Sequence, residues 1–270
     1  MINHHLGALA SAPSKIRSKQ YSTFVLDLSA VEYVRSLPLT LWRCLVDLAL
    51  MHGMQVNVIP PTQTDPKDYA GRMGLFAGTS YVYPYSEKKP ERFFPLMKIS
   101  NDQNELLFEE SQRVFSYCNA TNNYVNRLCE AFSELADNIY FHSGEKENTG
   151  WGYVHAQAYP KRGNITIALV DVGVGFYGSY SRTNQIRGRT EMQLLEDSFN
   201  ELESSLNQNP GRGHRGIGLF EVREFIKKFT GSIGVRSGSS ELIVTQVQML
   251  VEQLNYDVDG TWIELTVPIL

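Results

Sequence analysis

The stretch Tyr124 to Ser143 constrains this chain more than any other, because only one secondary structure accommodates its spacing of apolar residues. Val125, Leu128, Cys129, Phe132, Leu135, Ala136 and Ile139 recur at intervals of three and four, which lays them along one face of an α-helix and turns that face toward a core. Beside the stripe stand Glu134, Asn138 and His142, each four residues from the next. Side chains at that spacing stack on successive turns, so a carboxylate, a carboxamide and an imidazole can converge on one ligand. The same row also reads as the wet side of an ordinary amphipathic helix, and the helix alone does not decide between the two.

Two later stretches bear on that choice. Asn164 to Gly175, NITIALVDVGVG, is an apolar strand that closes on Asp171 and then on alternating glycines; Gly211 to Lys228, GRGHRGIGLFEVREFIKK, is a glycine-rich loop that runs into a helix. Taken in order with the earlier helix and with Gly260-Thr261, these pieces resemble the nucleotide-binding boxes of the GHKL ATPase superfamily: gyrase B subunits, heat-shock chaperones of the ninety-kilodalton class, histidine kinases and MutL. Glu134 and Asn138 match the N box, Asp171 to Gly175 the first glycine box and Gly213 to Leu219 the second, over roughly residues 115 to 270.

The resemblance implies an α+β fold in which residues 105–270 form a GHKL-type sandwich, an antiparallel or mixed sheet with helices on one face, that binds ATP with Mg2+. On it, Asn138 would ligate the magnesium and Glu134 would hold and deprotonate the attacking water or hydroxyl. Asp171 would accept from the adenine amino group, beside Gly173 and Gly175, and His142 would lie close to the phosphates. Gly211, Gly213, His214, Arg215, Gly216, Ile217, Gly218 and Leu219 would form the phosphate loop, with Thr261 as a further nucleotide contact.

Residue chemistry bears on the same positions independently. Asp171 ends a strand that is apolar from Ile165 to Val170 apart from Thr166, so its carboxylate emerges at the edge of a core, where charge is costly unless a donor meets it. A strand-end Asp that caps a turn has the same sequence. Gly211 to Gly216 satisfies the dinucleotide fingerprint GxGxxG, but that fingerprint needs a buried strand immediately before it, and Phe199 to Pro210 is polar and ends in proline. Phosphate binding survives the loss of the dinucleotide reading, because backbone N–H groups at a helix N-terminus bind phosphate in any fold. Arg212, His214 and Arg215 add charge near that loop. Magnesium keeps several waters and needs only one or two protein ligands, so one amide oxygen together with phosphate oxygens is adequate.

Between the glycine boxes, Phe176 to Pro210 has the length and polarity of the family's ATP lid, with a helix expected over Thr190 to Leu206 and Gly178 and Gly188 as hinges; an ordinary surface helix between loops reads the same way. Strands are expected at Tyr153 to Tyr159 and Asn164 to Val170, joined as a hairpin, and at Gly231 to Ser237, Leu242 to Leu250 and Thr261 to Val267.

Residues 1–20 mix Ser, Lys, Arg and His without periodicity and read as a flexible arm. Residues 21–104 alternate strand and helix patterns: strands at Thr23 to Leu28, Gln55 to Ile59 and Phe93 to Ile99, helices at Pro38 to His52 and Asp65 to Phe76. This order predicts a small α/β domain ahead of the ATP-binding one. Its segment FVLDLSAVEYV is similar to the strand and turn of STAS domains, in which a following serine can be phosphorylated; Ser29 and Ser36 are nearest, and a docking or dimerisation module fits as well.

Twenty-five basic against 29 acidic residues, with no block of like charge, give no electrostatic case for nucleic acid or an anionic membrane as main partner. Cys44, Cys118 and Cys129 are scattered without CxxC pairing, which points to buried thiols in a reducing compartment. No run approaches the ~20 apolar residues of a membrane span, so a cytoplasmic protein is expected. No histidine stands in a phospho-acceptor helix, and no transducer segment follows the last strand. What remains is an ATPase or kinase that uses ATP with Mg2+ to regulate a protein partner; the alternatives are a noncatalytic nucleotide-gated binding module or a serine/threonine kinase like those that act as anti-sigma factors, and a homodimer stays open.

Overall fold

In the N-terminal segment read as an arm, three apolar residues fall in helical phase. Ala10, Pro13 and Ile16 are all buried, and they dock a helix, α1 (Ala12–Arg17), onto the body of the protein; apolar spacing within a short polar stretch overrides its composition. The computed structural model describes residues 7, 9–83, 93–100, 104–116, 121–146, 149–200 and 218–269.

Strand β1 (Thr23–Asp27) leads to α2 (Ser36–Met51), whose end is followed by Gly53 at positive φ, and the chain returns as β2 (Gln55–Ile59), parallel to β1. Next come α3 (Thr64–Arg72), β3 (Phe93–Ile99), α4 (Asn104–Ser116) and the long α5 (Asn122–His142), which Thr121 caps by accepting from the Tyr124 N–H. A hairpin of β4 (Gly152–Tyr159) and β5 (Asn164–Asp171) turns through a single 3-10 turn at Pro160–Arg162, with Gly163 left-handed. After α6 (Gly175–Arg182), α7 (Glu191–Asp197) and α8 (Gly218–Phe229), the chain ends in a hairpin of β6 (Ser232–Thr245) and β7 (Met249–Pro268). Among the described residues no helix is long and apolar enough to cross a membrane.

The fold is α+β, with a five-stranded sheet in the order β3-β4-β5-β7-β6 beside the two-stranded β1–β2 pair. All four pairings of the large sheet are antiparallel, so of the antiparallel or mixed arrangements that the strand patterns allow the sheet takes the first. Strand β3, assigned by chain position to the N-terminal part, pairs with β4 instead. The single strand expected at Leu242 to Leu250 is instead broken by a turn, with Leu242 to Thr245 ending β6 and Met249 and Leu250 opening β7, while Thr261 to Val267 is the last part of the longer β7. Residues 246–248 make the turn, closed by the Thr245 N–H donating to the Gln248 carbonyl at 2.8 Å.

Both faces of this sheet are buried. Ile165, Ile167 and Leu169 of β5 join one cluster with α4, α5 and α8, while Ala168 and Val170 join a second with α2. The alternating sides of one strand therefore feed two cores, which is why its sequence runs apolar without a polar phase. The helices of residues 105–270 collect on one face, and α2, from the N-terminal part, covers the other, where it sits between the β1–β2 pair and the large sheet. That position explains its burial nearly all round, from Leu39 through Ala49. Its two charged side chains are paired, Arg43 donating to Asp47 and to the Leu75 and Ala77 carbonyls, and Asp47 accepting from the Tyr153 hydroxyl at 2.6 Å. Cys44 and Cys129 are buried free thiols, as expected; Cys118 lies outside the described residues.

Polarity predicts that Phe176 to Pro210 is weakly held; residues 201–210 lie outside the described residues, but in 176–200 Tyr180, Leu194, Leu195 and Phe199 are each at most 3% exposed. Helix α7 starts where the sequence places it, at a Thr190 cap, but ends at Asp197. The cap is reciprocal: Thr190 Oγ1 accepts from the Gln193 N–H at 3.3 Å and Gln193 Oε1 from the Thr190 N–H at 2.8 Å. Thr190→Ala should cost about 1 kcal/mol, read as a lowered urea midpoint with unchanged slope; an unchanged midpoint would mean that α7 contributes nothing to the cooperative unit.

Candidate functional site

The strand phases place a polar shelf at one end of the helix-covered face. Ile167 and Leu169 of β5, Ile263 and Leu265 of β7, and Ile233 and Val235 of β6 all belong to the core under α5 and α8. Two residues along each strand, in the same phase, come Asp171, Thr261 and Ser237. They are in register with one another: Asp171 pairs with Thr261, and Thr261 with Ser237. All three are buried, so the apolar face ends in a row of carboxylate and hydroxyl groups.

Asp171 is only 2% exposed. Its Oδ1 accepts from the Gly173 N–H at 2.8 Å. Burial pushes its carboxyl up to about 7, against the opposing pull of the Gly173 N–H, the Thr261 N–H and hydroxyl, and the Arg17 guanidinium. A carboxylate so poised gains from one further donor. Gly260 holds positive φ beside it, and a Cβ there would lie 2.3 Å from the Asp171 carbonyl oxygen.

The C-terminal end of helix α5 meets the segment that follows β5 because glycine lets it approach. A Cβ on Gly173 would lie 1.8 Å from the Ser143 carbonyl oxygen, and the Val174 N–H donates to that same oxygen at 3.0 Å. The C-terminal end of α5 is thus fixed against the first glycine box. Among the described residues the Asn138 Nδ2 is buried and has no hydrogen-bond partner. A half-turn about χ2 exchanges the two ends of a carboxamide, so either a donor or an acceptor can be offered there.

Glu134 lies one turn back, against the start of α8. A Cβ on Gly218 would come within 2.3 Å of Glu134 Oε2, which shows how closely the helix N-terminus and the carboxylate approach. His142 Nδ1 is 2.9 Å from Ser179 Oγ, which ties α5 to α6. Gly175 opens α6 at positive φ, where a Cβ would meet Ser237 Oγ at 2.6 Å; that hydroxyl accepts from the Phe176 N–H at 3.0 Å. Leu219 is a core residue in the first turn of α8, so only its backbone can face a ligand. Gly211, Arg212, Gly213, His214, Arg215, Gly216 and Ile217 lie outside the described residues.

Structure adds residues that the sequence reading missed. Ser237 continues the period-two phase of Ile233 and Val235, a signal that was there to be used. Arg182 of α6 donates to the carbonyls of Phe141 and Gly144 and so binds the end of α5 to the segment after the first glycine box. Glu191 accepts from the Ser239 N–H at 3.0 Å and anchors α7 on β6; neither contact leaves a pattern in the sequence.

No protein-family model matches the chain, and no curated protein is detectably similar to it in sequence.

Proposed function

We propose that this chain is a GHKL-type ATP-binding protein that hydrolyses ATP or transfers its phosphoryl group, with magnesium, to regulate a protein partner. The observation that carries the reading is the pairing of Asp171 with Thr261 on the face covered by α5, whose Asn138 has a buried amide atom without a partner. Adenine offers an exocyclic amino donor to Asp171 while its neighbour Thr261 contributes a hydroxyl. Guanine presents a carbonyl at the corresponding position, and two acceptors would then face each other.

The residues fit magnesium as well. Asn138 would hold the ion through its amide oxygen, with phosphate oxygens and water completing the shell. Bound magnesium would supply charge neutralisation at the phosphates. Glu134 stands where it can orient a nucleophile and take its proton, and the N–H groups opening α8 beside it suit a phosphate. Because phosphoryl transfer depends mostly on positioning and charge neutralisation, these few groups are enough chemistry.

Isothermal titration with ATP and GTP in magnesium tests the reading. ATP should bind at least about tenfold more tightly, the equivalent of one hydrogen bond to a charged group, and Asp171→Ala should erase the difference. Equal affinities in the parent protein would sink the assignment of Asp171. A nucleotide-gated binding module without turnover is separated from this reading by a phosphate-release assay run with and without candidate partner proteins.

A further inference from the structure

We propose that α1 is a clasp on the base end of the nucleotide site, with Arg17 as its positioning residue. The proposal rests on the adenine-nucleotide reading above. Its basis is where the β5–β7 ladder stops: the last paired residues are Asp171 and Thr261, the two that would read the base. One residue beyond Asp171 and two before Thr261, the next link between the strands comes from a different element. Arg17 donates to the Val172 carbonyl, its Nη1 is 3.9 Å from Asp259 Oδ2, and Ser14 Oγ donates to that same carboxylate oxygen.

Backbone hydrogen bonding thus ends at the site, and a side chain from the N-terminal helix carries the connection past it. Helix α1 is itself anchored by Ile16, 3% exposed, within the core that α2 shares with Val170, Val172 and Trp262. It is therefore a docked lever whose polar end grips the two chain segments flanking Asp171 and Thr261. Arg17 also places its positive charge near Asp171, which favours the ionised carboxylate that an amino donor needs. Binding free energy is reciprocal: if α1 tightens the base site, a bound base must tighten α1.

The test uses the full chain. Arg17→Gln should weaken ATP binding about threefold to tenfold and lower the ATP-to-GTP preference, while the dependence of binding on magnesium stays as in the parent, because the metal end is held by α5. Arg17→Lys should recover part of the loss, since an ammonium keeps the charge but not the two-pronged geometry. Asp259→Asn, which removes the other side of the clasp without touching Arg17, should show the same split. In the parent, ATP should slow amide exchange over residues 14–18, and in Arg17→Gln it should not. Unchanged affinity and base preference in both variants, with exchange in α1 indifferent to ATP, would overturn the clasp while leaving nucleotide binding standing. Failure of the parent to bind ATP at all would overturn both readings together.

Discussion

Glu134→Gln should bind ATP with magnesium as the parent does and turn it over about a hundred to ten thousand times more slowly, the range a positioned general base contributes. Glutamine keeps the size of the side chain and its contact with the start of α8 but cannot take a proton. Asn138→Ala should behave oppositely: magnesium-dependent affinity falls, because ligation by its amide oxygen operates in the ground state, whereas proton transfer appears only in the transition state. The two positions are one turn apart on α5, so a general disturbance of that helix would damage both properties in both variants. Single-turnover phosphate release and equilibrium binding, measured on each variant, separate the cases. Turnover by Glu134→Gln at the parental rate would remove Glu134 from the chemistry.

How much of this was legible in the sequence depended on whether the determining contact was local. Helix α5 was readable because its stripe has a helical period, and Glu134, Asn138 and His142 follow from the same geometry. The start of α7 was readable because Thr190 and Gln193 form a cap within four residues. The faces of Asp171 and Thr261 follow from strand phase, but that they pair with each other is a matter of register, which distant strands decide between them. The same limit hid the place of β3, whose sequence says strand and whose partner is almost sixty residues away in β4. The turn after Thr245 passed unseen because TQVQ contains neither Gly nor Pro; the Thr245–Gln248 pairing closes it without them. In Phe176 to Pro210, polar composition concealed the few residues that matter to docking: Tyr180, Leu194, Leu195 and Phe199 anchor the segment without altering its average. Arg17 and Asp259, 242 positions apart in the chain, meet only through the packing of α1.

Asp171→Asn should make the protein more stable relative to the parent at pH 8 than at pH 4.5, by up to about 3 kcal/mol. Burial holds the parent's carboxyl at about 7 in the folded state, whereas in an unfolded chain an Asp ionises at about 3.9. Between those values the folded protein keeps a proton that the unfolded chain has released. The stabilising effect of this raised value is fully present below about pH 4 and is lost as pH rises through about 7. Asparagine does not titrate, so the variant lacks that slope, and titrations elsewhere in the chain cancel in the difference between the two proteins. Any fixed cost of meeting the Thr261 N–H with an amide donor shifts the variant's curve at every pH but leaves the widening gap intact. Urea unfolding at the two pH values measures it, and parallel pH dependences would show that Asp171 is not held in the buried, protonation-prone state. The direction also fits the proposed role: a carboxylate whose burial outweighs the donors it has destabilises the protein when ionised and is relieved by a ligand that supplies one more donor, so the substitution that gains stability should be the one that loses adenine recognition.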